Sequence, residues 1–147
     1  MNNKIKLLDG SMSFPLEKKG YNLHDKLWTG KALINDPDLI KNIHKGYIEA
    51  GADYISTATY QISFDRLEEM GYQSDKIKEI FQKSVDLVKD AILESKPENE
   101  IKIVGSFGPY ASFDKEASEY IGEYNVSDNA IMNFHLNNIR VIEETDL

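Results

Sequence analysis

Three short apolar runs punctuate the chain at a spacing of about 48 residues: Ile5-Lys6-Leu7-Leu8, Asp53-Tyr54-Ile55-Ser56 and Ile101-Lys102-Ile103-Val104. Each gives way at once to turn and hydroxyl residues, Asp9-Gly10-Ser11, Thr57-Ala58-Thr59-Tyr60 and Gly105-Ser106-Phe107-Gly108-Pro109. Residues 4–8 are mostly apolar and alternate poorly, the pattern of a strand buried on both faces. Strands are expected over 4–8, 53–58 and 101–106.

Helical periodicity fills the intervals. A short helix containing Trp28 is expected over 23–35. Asp36-Pro37 is a strong start for the next, with Asp as N-cap and Pro at the first helical position. Leu39, Ile40, Ile43, Tyr47 and Ile48 then share a face, and Gly51 fits the stop. A short helix near 63–70 ends at Gly71. Ser74 is expected to cap a longer helix with the stripe Ile77, Ile80, Phe81, Val85, Val88 and Ile92. Pro97-Glu98-Asn99 reads as a surface turn and 107–126 as a long loop. Ser127 is expected to cap a last helix with the stripe Ile131, Phe134, Ile139 and Ile142. The order β-α-β-α-β-α is that of a parallel α/β protein, whose chemistry sits where the strands end.

Composition narrows the class. The 147 residues fit one domain, and a chain of that size buries roughly 70% of its unfolded surface. Lys plus Arg is 17 against 25 Asp plus Glu, a net charge of −8. That balance repels phosphate backbones and anionic lipid, so neither nucleic acid nor a membrane surface is an expected partner. No apolar run nears the roughly 20 residues of a membrane span, and Met1-Asn2-Asn3-Lys4 precedes no signal-peptide core. A cytoplasmic location is expected. The sequence has no cysteine, which removes disulfides and thiolate ligands, and His24, His44 and His135 lie far apart.

The candidate chemistry lies at the strand ends. Asp9, freed by Gly10, could hold an ammonium group by a charge-assisted hydrogen bond, or could merely end a strand. Thr57, Thr59 and Tyr60 offer hydroxyls to a polar ligand, though Thr and Tyr are also ordinary strand formers. Gly108, in the turn with Ser106, Pro109 and Tyr110, could admit a substrate close to the backbone. No GxGxxG or GxxxxGK[ST] phosphate loop is present. Trp28 has packing at the rim as its simplest role. His44 and His135 read as satisfied or exposed helix residues, and Glu68-Glu69 and Glu143-Glu144 as solvated helix faces.

Taken together, several segments resemble a known family. They are Leu7-Leu8-Asp9-Gly10-Ser11-Met12, Leu27-Trp28, Asn35-Asp36-Pro37-Asp38-Leu39-Ile40 and Tyr47-Ile48-Glu49-Ala50-Gly51-Ala52-Asp53. Thr57-Ala58-Thr59-Tyr60-Gln61, Gly105-Ser106-Phe107-Gly108-Pro109-Tyr110 and Glu119-Tyr120-Ile121-Gly122-Glu123-Tyr124 follow. In this order they are similar to the N-terminal part of homocysteine S-methyltransferases, in the branch using S-methylmethionine or S-adenosylmethionine. The resemblance covers essentially the whole chain.

The resemblance implies a (β/α)8 barrel of roughly twice this length. The chain would be one domain over 1–147, supplying the first three βα units and ending before strand four. It implies that Asp9 and Gly10 hold the amino-acid end of homocysteine and that Trp28 lines the methyl-donor side. Thr57, Thr59, Tyr60, Gly108 and Tyr110 would line the rim. It also implies zinc, held by three cysteines from later strands and activating the homocysteine sulfur. Those cysteines, and a glutamate ending strand four, have no counterpart here, so no catalytic or metal residue is assigned and the chain alone is expected to be inactive. A half-barrel that associates with itself or with a second chain is the alternative, and an unrelated small β/α binding module is a third reading.

Overall fold

The computed structural model describes residues 5–23, 27–113 and 124–147. His24 and most of the Glu119–Tyr124 segment lie outside the described residues. The elements run α1 (Ser13–Lys18), α2 (Gly30–Asn35), α3 (Pro37–Glu49), β1 (Tyr54–Ser56), α4 (Phe64–Glu69), α5 (Ser74–Ser95), β2 (Lys102–Val104), a 3-10 turn (Tyr110–Ser112) and α6 (Asp128–Glu143). β1 and β2 pair in parallel, Tyr54 opposite Lys102, Ile55 opposite Ile103 and Ser56 opposite Val104.

The first apolar run departs from expectation. Leu8 makes only an isolated parallel bridge to Tyr54, and Ile5, Leu7 and Leu8 are 81%, 53% and 61% exposed. The segment is held from one side alone. Asp53 and Tyr54 both donate their amides to the Leu7 carbonyl, while the Asp53 carboxylate accepts from the Leu7 amide at 3.0 Å and pairs with Lys6 at 2.7 Å. No other described element covers its apolar side chains, so the run is not the doubly buried strand its composition suggests.

The helices follow local chemistry more closely. The Asp36 carboxylate accepts from the Leu39 amide at 3.3 Å with Pro37 behind it, and α3 buries Ile40, Ile43, His44 and Ile48. Gly51, at φ +98°, ends that helix in the left-handed conformation that glycine adopts without strain. The 22 residues of α5 bury Ile77, Ile80, Phe81, Val85 and Val88 as expected. Its N-cap, however, is Gln73, extended and without a side-chain cap bond; Ser74 is already helical and cannot cap. In α6 the Ser127 hydroxyl accepts from the Ala130 amide, as expected. The buried face is Phe134, Asn138, Val141 and Ile142, whereas Ile139 lies 41% exposed, one residue round the helix from that face.

The expected 23–35 helix is shorter. Trp28 sits at φ +46°, which a right-handed helix excludes, and α2 begins only at Gly30. α1, unanticipated, buries Leu16.

α3 and α5 pack on each other and cover one face of the strands. Ile48, Ile55, Val88 and Ala91 form the cluster between them, and a larger cluster of Leu16, Leu33, Ile40, Ile77, Phe81 and Val85 extends it. Because side chains alternate along a strand, burying Ile55 sends Tyr54 and Ser56 to the other face.

His44 is neither satisfied nor exposed. It is fully buried within the α3 stripe, and neither ring nitrogen has a hydrogen-bond partner among the described residues. Burial pushes its pKa down to about 4, so it is neutral at physiological pH.

Candidate functional site

The site forms where the chain leaves the first apolar run and β1. The Asp9 amide donates to the Tyr54 carbonyl at 2.9 Å, which aligns the two segments. Its side chain then meets Ser56: the Ser56 amide donates to Oδ2 at 2.9 Å and the Ser56 hydroxyl to Oδ1 at 2.8 Å. Asp9 is half-buried. Burial pushes its carboxyl pKa up, and the two bonds from Ser56 oppose that rise. Among the described residues it has no ion-pair partner.

The turn after Asp9 is supported from α3. The Tyr47 hydroxyl donates to the Ser11 carbonyl at 2.7 Å, and its ring lies so close to Gly10 that an added Cβ would stand 3.0 Å from the phenol oxygen. Burial and the charge on Asp9 both push the Tyr47 phenol pKa up.

A pocket of about 360 Å³ opens here, within the size range of small-molecule sites. Leu8, Asp9, Gly10, Ser11, Trp28, Ser56, Thr57, Tyr60 and Ser106 line it. Trp28 and Tyr60 stand on its rim, 47% and 40% exposed. A larger groove of about 740 Å³ runs between α2, α5 and α6. It lies away from the strand ends and mixes Lys76, Lys78 and Lys83 with Asp75, Glu79 and Asp86, so no charge converges there.

Five of the eight expected residues thus meet in one pocket: Asp9, Gly10, Trp28, Thr57 and Tyr60. The other three lie beside it. Thr59 is fully buried and donates to the Ser106 carbonyl at 2.6 Å, while Thr57 accepts from the Ser106 amide at 3.0 Å and the two threonine hydroxyls share a 2.7 Å bond. The pair thereby clasps the end of β1 to the end of β2. A Cβ at Gly108 would run into the Tyr60 carbonyl and the Ser112 hydroxyl, so the turn has no space for one. Tyr110 joins a ring cluster with Phe113, Tyr124 and Phe134, and Arg66 stacks over Phe113 at 4.6 Å while donating to its carbonyl.

Sequence reasoning passed over Ser56 and Tyr47. Alternation against Ile55 was a usable signal for Ser56. A tyrosine at the edge of an apolar stripe, whose hydroxyl needs a partner, was one for Tyr47.

The donor set does not fit zinc. The sequence has no cysteine, and no group of three or more His, Asp or Glu side chains converges among the described residues. Nor is any helix among the described residues long and apolar enough to cross a membrane.

A pocket at the carboxyl ends of parallel strands is the arrangement of α/β barrels and of open α/β sheets alike. The particular family follows from comparison: the profile of the homocysteine S-methyltransferase family matches residues 6–147, and the chain belongs to that family. It is 36% identical to homocysteine S-methyltransferase YbgG of Bacillus subtilis, over 94% of this chain and 46% of the relative. It is 37% identical to the homocysteine S-methyltransferase of Escherichia coli, over 89% and 44%. Selenocysteine Se-methyltransferase of Brassica oleracea is 33% identical, over 95% and 44%. The fold superposes on the metallated form of the E. coli homocysteine methyltransferase MmuM, a TIM-barrel enzyme, with a TM-score of 0.84 and 33% identity. That match covers 99% of this chain and 53% of the other. The chain therefore spans about half the length of its relatives.

Proposed function

We propose that this chain is the homocysteine-binding portion of a methyltransferase that moves a methyl group from S-methylmethionine or S-adenosylmethionine to homocysteine, giving methionine. It would supply the first three βα units of the (β/α)8 barrel. The observation that carries the reading is Asp9: a half-buried carboxylate facing a pocket with no cation paired to it among the described residues. Such a group suits the ammonium of an amino acid. Gly10 lets the turn beside it pack closely on Tyr47, and Trp28 and Tyr60 at the rim offer aromatic faces to a sulfonium cation. Thr57 contributes to the wall, whereas Thr59, Gly108 and Tyr110 support the rim from behind.

In the complete reaction the homocysteine thiol gives up its proton to solvent and its sulfur attacks the donor methyl in line; one S–CH3 bond forms, the sulfonium S–CH3 bond breaks, and a neutral thioether leaves. This chain's residues bind and orient the amino-acid end. Among the described residues no group is placed to activate the sulfur, and no zinc-dependent step is assigned to them. Catalysis then requires the rest of the barrel, on a second chain or on further polypeptide. A second reading, a non-catalytic half-barrel that associates with itself or a partner, is favoured by the exposed Ile5, Leu7 and Leu8 beside the pocket.

The test is to assay methionine formation by the chain alone and mixed with a polypeptide supplying the remaining half of a family barrel. Activity in the mixture only is expected. Activity of the chain alone overturns its assigned incompleteness, and a wild-type chain that does not bind homocysteine overturns the site.

A further inference from the structure

Both oxygens of Asp9 are engaged by a single residue. We propose that Ser56 is the positioning residue of this pocket, fixing the Asp9 carboxylate in one orientation so that its free lone pairs meet the ammonium group of an amino-acid ligand, an assignment that rests on the homocysteine reading above. A carboxylate has about four lone-pair positions. Ser56 occupies one on each oxygen, through its amide at 2.9 Å and its hydroxyl at 2.8 Å, and leaves one on each. Two bonds to two oxygens determine the carboxylate plane, which one bond could not do.

The backbone makes this grip possible. Asp9 is registered against Tyr54 by its own amide, and the Ser56 side chain projects from the strand face opposite the buried Ile55. Tyr47 completes the brace from α3, holding the Ser11 carbonyl and packing on Gly10, so the turn cannot swing away. Tyr47 is also the titratable group that faces Asp9 from that helix. Preorganisation of this kind saves the ligand the cost of ordering its own partner. The hydroxyl bond also favours the ionised form of Asp9 against the burial that disfavours it.

The experiment follows the Asp9 carboxyl by carbon NMR as pH is varied, and measures homocysteine affinity across the same range, in the 147-residue chain and its Ser56→Ala and Ser56→Thr variants. Ser56→Ala is expected to move the Asp9 titration to higher pH. It should weaken homocysteine about 10-fold, the size of one charge-assisted hydrogen bond, with the greatest loss at the acid end. Ser56→Thr, which keeps the hydroxyl, should restore both. An unmoved Asp9 titration overturns the proposal, as does unchanged affinity in Ser56→Ala. If the wild-type chain fails to bind homocysteine while Ser56→Ala still shifts Asp9, the ligand assignment falls and the coupling of the two residues stands. One measurement needs no variant: the wild-type Ser56 amide resonance should track the Asp9 titration, and its indifference would overturn the proposal even if Ser56→Ala did not fold.

Discussion

The Thr59 hydroxyl donates to the carbonyl of Ser106, 47 residues further along the chain, at 2.6 Å in a position closed to water. Thr57 completes the link by accepting the Ser106 amide. Replacing Thr59 by valine preserves its shape but leaves the Ser106 carbonyl and the Thr57 hydroxyl short of a partner. Thr59→Val should destabilise the chain by about 1–3 kcal/mol, read as a lower urea midpoint.

Gly108 tests the same junction sterically. Any Cβ there would run into the Tyr60 carbonyl, a backbone atom that cannot swing aside like the tip of a side chain. Gly108→Ala should cost about 1–3 kcal/mol and shift the Tyr60 rim. A variant as stable as the wild type would mean that the β2 turn yields easily.

His44 makes stability depend on acid. Its pKa is near 4 in the folded chain against 6.5 when unfolded, so between those values the unfolded chain binds the extra proton. Stability should therefore fall as pH drops from about 6.5 to 4, by about 3 kcal/mol in total. His44→Leu removes the two unpartnered ring nitrogens and should flatten that slope while raising stability at neutral pH. Denaturation midpoints at pH 7 and pH 5 decide it.

Asp9 should show the opposite sign and a conflict between stability and binding. Its folded pKa lies above the unfolded value, so its contribution is full in acid and is lost as pH rises through the folded pKa. At neutral pH its charge costs the fold. Asp9→Asn should raise the thermal midpoint while weakening homocysteine binding at least about 10-fold. Weaker binding with a lower thermal midpoint would instead point to a structural role.

Metal analysis of the purified chain should find no stoichiometric zinc after dialysis, because the sequence has no thiolate and the described residues hold no clustered carboxylate–imidazole set. One equivalent of tightly held zinc would contradict the donor set described above.

The helices were legible because their signals are local. Asp36-Pro37, Gly51, Gly71 and Ser127 act within a turn of themselves, and the stripes of α3 and α5 are set by the 3.6-residue period. Gln73 shows the limit of that reading: Ser74 satisfies the capping preference in sequence, but the backbone enters the helix one residue earlier. Asp9, Gly10, Trp28, Thr57 and Tyr60 were legible as candidates because the ends of parallel strands share one edge. Which of the eight would meet in a cavity was not, since that depends on how two loops cross.

The sequence by itself determined the parallel α/β class, the helix boundaries set by Asp36-Pro37, Gly51, Gly71 and Ser127, the family and the lack of thiolate ligands. Only the tertiary structure decided that the first apolar run lies uncovered, that His44 is sealed in with no partner among the described residues, and that Thr59 ties two strand ends together while Ser56 takes hold of Asp9. The division has a physical cause. Periodicity and capping are properties of neighbouring residues, whereas burial, desolvation and hydrogen bonds spanning 47 residues exist only once particular faces have met.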